Sequence, residues 1–115
     1  MLPLRAVPPV LLARLADIPE GAMVGRVHGS HEIALARVRG EVFAMDDVCT
    51  HAGANLHEGE LGREGDYCVT CPWHDARFDF RTGKVEQDTP WAVDTRTYPV
   101  ELRGDEIWVD LPESA

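Results

Sequence analysis

Short segments rich in β-branched and apolar side chains recur along the chain, and glycine turns separate them. Val10 to Leu15, Met23 to His28, Ile33 to Val38 and Val42 to Met45 form one series, with Arg39-Gly40 as the turn between the last two. Runs of this length and composition, bounded by turn residues, predict strands. After position 85 the pattern resumes with Arg96 to Leu102, the turn Arg103-Gly104-Asp105, and Ile107 to Leu111. Here Tyr98, Val100 and Leu102 alternate with Thr97, Pro99 and Glu101, while Ile107 and Val109 alternate with Trp108 and Asp110. A period of two puts successive side chains on opposite faces, so this stretch predicts a hairpin of half-buried strands. No segment holds a helical period over three turns, and no internal repeat is present.

Residues 46 to 85 differ in character from both flanks. They are rich in glycine, histidine and cysteine and poor in long apolar runs, whereas Arg77 to Phe80 followed by Arg81-Thr82-Gly83-Lys84 reads as a hairpin arm and turn closing the segment. The expected fold is all-β: one domain over residues 1–115, an antiparallel β sandwich or barrel. Its basal part covers about 8–45 and 86–112, with an inserted ligand-bearing subdomain over about 46–85.

Composition narrows the partners. A chain of 115 residues is the size of a single domain. With 20 acidic against 11 basic side chains it carries a net charge of −9, which leaves no surplus cation to displace phosphate counterions and argues against nucleic acid. An acidic surface favours a basic protein partner met by electrostatic steering. The N-terminal apolar run is interrupted by Pro8 and Pro9 and ended by Arg14 without a small-residue cleavage site, so it reads as a tail and first strand. No stretch approaches the length of a membrane span. A cytoplasmic location is expected, where the three cysteines stay free or bind metal.

All three cysteines and three of the five histidines fall inside the insert. In Tyr67-Cys68-Val69-Thr70-Cys71-Pro72-Trp73-His74 two signals overlap, Cys68-x-x-Cys71 and Cys71-x-x-His74. Cys49-Thr50-His51 lies upstream, and nineteen residues, Ala52 to Thr70, separate the two arms. One thiolate and one imidazole per arm suit a [2Fe-2S] centre with both cysteines on one iron and both histidines on the other. The competing reading is a structural zinc site, which accepts the same four groups, although Cys-x-His is tighter than the usual zinc pairings. Cys68 reads as a small apolar strand residue rather than half of a redox pair, because no helix opens after Cys71. His28, His31 and His57 have no cysteine at ligand spacing and read as surface or turn residues. Trp73 is either part of a partner-facing tip or a cover for the metal centre.

CTHAGANL at 49–56, CPWHDARFD at 71–79, RTGK at 81–84 and TYPVELRGDEIWV at 97–109 together resemble the Rieske ferredoxins, over roughly Val10 to Asp110. The resemblance implies that Cys49 and Cys71 bind one iron and that His51 and His74 bind the other through Nδ1. It implies a soluble one-electron carrier, not an enzyme, that passes electrons from a flavin-containing NAD(P)H reductase to a terminal oxygenase. The alternative reading is a subunit that stays bound to a larger enzyme, similar to the small subunit of assimilatory nitrite reductase, which shares the fold but commonly lacks the four ligands.

Some positions depart from the family's pattern. High-potential members carry an extra cysteine on each loop, where this chain has Ala54 and Trp73, so no loop disulfide is expected. Their serine and tyrosine hydroxyls near sulfur correspond to Ala76 and Phe78, which cannot donate. The potential is therefore expected toward the low end of a range of roughly −150 to +300 mV. Asp75 stands where glycine is common, the hairpin from Gly59 to Thr70 carries a small insertion, and Asp94 replaces the second proline of a covering segment that begins near Pro90.

Overall fold

The structure is a computed structural model that describes residues 8–49, 54–62, 67–72, 76–85 and 93–112. Ten strands account for nearly all regular structure in these segments: β1 (Val10–Arg14), β2 (Met23–His28), β3 (His31–Val38), β4 (Glu41–Asp46), β5 (Glu60–Leu61), β6 (Cys68–Thr70), β7 (Arg77–Asp79), β8 (Thr97–Tyr98), β9 (Val100–Arg103) and β10 (Glu106–Val109). The described helices are single 3-10 turns, Leu15–Asp17 and Leu56–Glu58. Every pairing is antiparallel. The all-β expectation holds.

The strands form three sheets, β1-β10-β9, β2-β3-β4-β8 and β5-β6-β7. The four-stranded sheet is central because β3 is apolar on both faces: Ile33 and Leu35 join Ile107, Val109 and Tyr98 in one core, while Ala34, Ala36 and Val38 join Val69, Phe78 and Phe80 in the other. A strand buried on both sides needs an unbroken apolar run, which Ile33-Ala34-Leu35-Ala36 supplies. Small alanines on the second face let the short sheet β5-β6-β7 pack closely over it. That face carries the functional loops.

The turns follow the sequence. Arg39 and Gly40 join β3 to β4 with φ of 53° and 80°, and the two carboxylate oxygens of Glu20 accept their N–H groups at 2.5 and 2.8 Å. Arg39 is the one non-glycine residue with positive φ among the described residues, and these two hydrogen bonds stabilise its left-handed conformation. Gly104, with φ of 63°, turns β9 into β10.

One expectation is corrected. Arg96 to Leu102 is not a single strand, since Tyr98 pairs with Ala44 in the central sheet and Val100 pairs with Val109 in the outer one. Pro99 lies at the switch and has no N–H to give either ladder, so the chain changes sheets there. Alternation carries through the break, but burial does not: Tyr98 is buried, whereas Leu102 on the edge strand β9 is 45% exposed.

Candidate metal centre

Two hairpin necks hold the candidate ligands. In the first, the chain beyond β4 folds back on itself: Val48 bridges Asn55, Cys49 N–H donates to the Ala54 carbonyl at 2.8 Å, and Leu56 N–H donates to the Asp47 carbonyl at 2.5 Å. In the second, Thr70 of β6 pairs with Arg77 of β7, and Cys71 N–H donates to the Ala76 carbonyl at 2.7 Å. Each cysteine therefore closes its loop with the same bond, to an alanine carbonyl five residues on. His51, Trp73, His74, Asp75 and Pro90 lie outside the described residues.

Cys49 and Cys71 are 2% and 0% exposed and share one apolar cluster with Ala54, Leu56, Ala76 and Phe78. Neither forms a disulfide. Two buried thiols at equivalent loop necks, in an apolar cluster, fit the soft half of an iron–sulfur donor set. Among the described residues no three His, Cys, Asp or Glu side chains form a group that could hold a metal ion. Ala76 and Phe78 are both fully buried, so the two positions expected to lack hydroxyl donors do face this core.

Close backbone packing couples the necks. A β-carbon on Gly59 would overlap the Thr70 carbonyl oxygen and come within 3.2 Å of Pro72 Cδ. Glycine at 59 thus allows the end of the first loop's 3-10 turn to touch the strand that delivers Cys71. Asp79 fixes the far end of the second hairpin: its carbonyl accepts Gly83 N–H at 2.7 Å, and its carboxylate accepts Arg81 N–H and Nη2 at 2.7 and 2.9 Å. The Arg81 guanidinium holds the Asp79 carboxyl below its ordinary range. Asp94, in place of a family proline, accepts the Val85 N–H at 2.9 Å and ties the returning chain to that turn.

The first neck is anchored through Asp46. Tyr98 Oη donates to Asp46 Oδ1 at 2.5 Å, and Asp46 N–H donates to the Arg96 carbonyl at 2.9 Å. Burial, with the Asp46 carboxylate beside it, pushes the Tyr98 phenol up to about 12.

Cys68 sits in β6, 3% exposed and unbridged, in keeping with a packed strand residue. His28 and His31 flank the turn from β2 to β3. His57 lies in the 3-10 turn Leu56–Glu58, in keeping with a turn residue, and its ring pairs with the buried Asp47 carboxylate. Sequence reasoning missed the pairing of Asp47 with His57. A glycine at position 25, inside a strand, was the available signal, since such glycines often mark close approach by another group.

Two buried cysteines on twin hairpin necks, over an all-antiparallel fold, fit an iron–sulfur protein of the Rieske class. Residues 9–99 match the Rieske [2Fe-2S] domain, and the chain belongs to that family, whose cofactor is a [2Fe-2S] cluster. It is 43% identical over 100 residues to the ferredoxin component of the naphthalene 1,2-dioxygenase/salicylate 5-hydroxylase systems of a Ralstonia species, covering 86% of this chain and 91% of that one. The ferredoxin of carbazole 1,9a-dioxygenase from Nocardioides aromaticivorans IC177 superposes with a TM-score of 0.84 at 32% identity, over 93% of this chain and all of that one. A ferredoxin solved in complex with the oxygenase of carbazole 1,9a-dioxygenase matches with a TM-score of 0.80 at 28% identity, over 93% and 96%. Among the described residues no helix is long and apolar enough to cross a membrane.

Proposed function

We propose that this chain is the ferredoxin of a ring-hydroxylating oxygenase system. Cys49 and Cys71 hold one iron of the cluster and His51 and His74 the other. When bound, the cluster supplies a one-electron redox centre. The observation that carries this reading is the repeated neck: each buried cysteine closes its loop by the same N–H to alanine carbonyl bond, and the motif puts one histidine in each loop. The apolar wall of Leu56, Val69, Ala76 and Phe78 excludes water behind the thiols.

The sheets favour a division into a basal part, about 8–45 and 86–112, and a cluster-bearing insert, about 46–85. The partners are a flavin-containing NAD(P)H reductase and a terminal oxygenase, met transiently in the cytoplasm. A net charge of −9 supports steering toward basic docking surfaces, with association slowing as salt rises. Purified protein should contain iron and acid-labile sulfide in equal amounts and show a Rieske absorption and EPR spectrum. It should also restore turnover to a mixture of such a reductase and oxygenase. Substituting Cys for His74 should alter the spectrum. Zinc in place of iron, or no visible absorption, would refute the assignment.

A further inference from the structure

Asp47 and His57 lie outside the proposed ligand set, yet they carry most of the side-chain bonding at the first loop neck. The Asp47 side chain is 4% exposed. Its Oδ1 accepts the His57 backbone N–H at 2.7 Å, and its Oδ2 accepts Asn55 Nδ2 at 3.1 Å and meets His57 Nδ1 at 2.5 Å. The Asp47 N–H donates to the Glu32 carbonyl at 2.8 Å, which ties the neck to β3. The imidazole lies against Gly25 of β2, where a β-carbon would stand 2.6 Å from both Cε1 and Nδ1 and 3.1 Å from Asp47 Oδ2. Only glycine leaves room for the pair. The imidazole, 33% exposed, covers the carboxylate from solvent.

We infer that Asp47 and His57, seated on Gly25, form a hydrogen-bonded pair that positions the first loop neck and sets the reduction potential of the centre held by Cys49. The inference rests on the ligand assignment above. Asp47 is two residues from Cys49, and a carboxylate removed from water acts on a nearby redox centre with little screening. Its negative charge opposes the incoming electron, and the Nδ1–H bond from His57 offsets that opposition. Asp47 and His57 are thus positioning residues with opposite effects on the potential.

Voltammetry of the purified holoprotein tests this, with iron content, thermal midpoint and amide exchange of residues 54–62 measured alongside. Asp47→Asn should raise the potential and His57→Leu should lower it, although both should reduce thermal stability. Gly25→Ala should shift the potential the same way as His57→Leu and speed exchange at the His57 amide, because both remove the donor from Asp47. Stability lost with the potential unchanged would mean a purely structural role and overturn the inference. If Asp47→Asn does not fold, unchanged potentials in His57→Leu and Gly25→Ala overturn it equally. Wild-type protein without iron and sulfide would overturn the ligand assignment as well, whereas a normal wild-type cluster with unshifted variants would sink the pair alone.

Discussion

Replacing Gly59 with alanine isolates the contact between the two ligand necks. Gly59 has φ of −88°, which suits any L residue, so the substitution carries no left-handed strain. Its cost is steric. The new β-carbon would overlap the Thr70 carbonyl oxygen and lie 3.0 Å from the Thr70 carbonyl carbon, where ordinary contacts begin near 3.4 Å. Backbone cannot rotate away as a side-chain tip can, so the necks must part, and overpacking of this kind costs about 1–3 kcal/mol. Gly40→Ala is the matching control. Gly40 has φ of 80° and nothing within 4 Å of a new β-carbon, leaving conformational strain alone, about 1–2 kcal/mol. At about 4 °C per kcal/mol for a domain of this size, each variant lowers the thermal midpoint by several degrees. The discriminating quantity is the cluster content. Gly59→Ala displaces the strand that delivers Cys71 and should yield protein with reduced iron and visible absorption, while Gly40→Ala, in the β3–β4 turn, should keep a full complement. Equal iron content in the two variants would refute the close-approach argument.

Three further outcomes are expected. The Tyr98 phenol, raised from 10.0 to about 12, holds its proton more tightly in the native state than in the unfolded chain. Stability from this group is therefore full below about pH 10 and lost as pH rises through about 12. Tyr98→Phe should remove that alkaline component from denaturation curves, and a Tyr98 ultraviolet titration centred near 10 would contradict it. Introducing hydroxyls with Ala76→Ser and Phe78→Tyr should raise the reduction potential, because both positions are fully buried beside Cys49 and Cys71; no shift would show that these side chains do not reach the sulfur atoms. Cys68→Ser should keep the Rieske spectrum at a stability cost of about 1–3 kcal/mol for a hydroxyl in a buried site, and loss of the cluster would make Cys68 a ligand.

Local features of the fold were legible because they depend on few residues. Arg39-Gly40 and Gly104 fix turns by their own backbone preferences, and β2 runs from Met23 to His28 as the apolar pattern indicates. The twin motifs containing Cys49 and Cys71 announced two equivalent loops through spacing alone. Tertiary structure decided what no local pattern encodes. Continuous alternation through Tyr98 and Val100 concealed a change of sheet, since period two is indifferent to which neighbour supplies the ladder and only the missing N–H of Pro99 marks the break. The pairing of His57 left no local signal because Asp47 lies ten positions earlier and the space for the ring is made by Gly25, on another strand. Hydrogen bonds and close contacts between distant residues leave no periodic trace. Strand periodicity and the paired cysteine–histidine motifs identify the class of protein and the candidate ligand residues. Only folding revealed the identical bonds that close the two loops and the buried carboxylate beside the first.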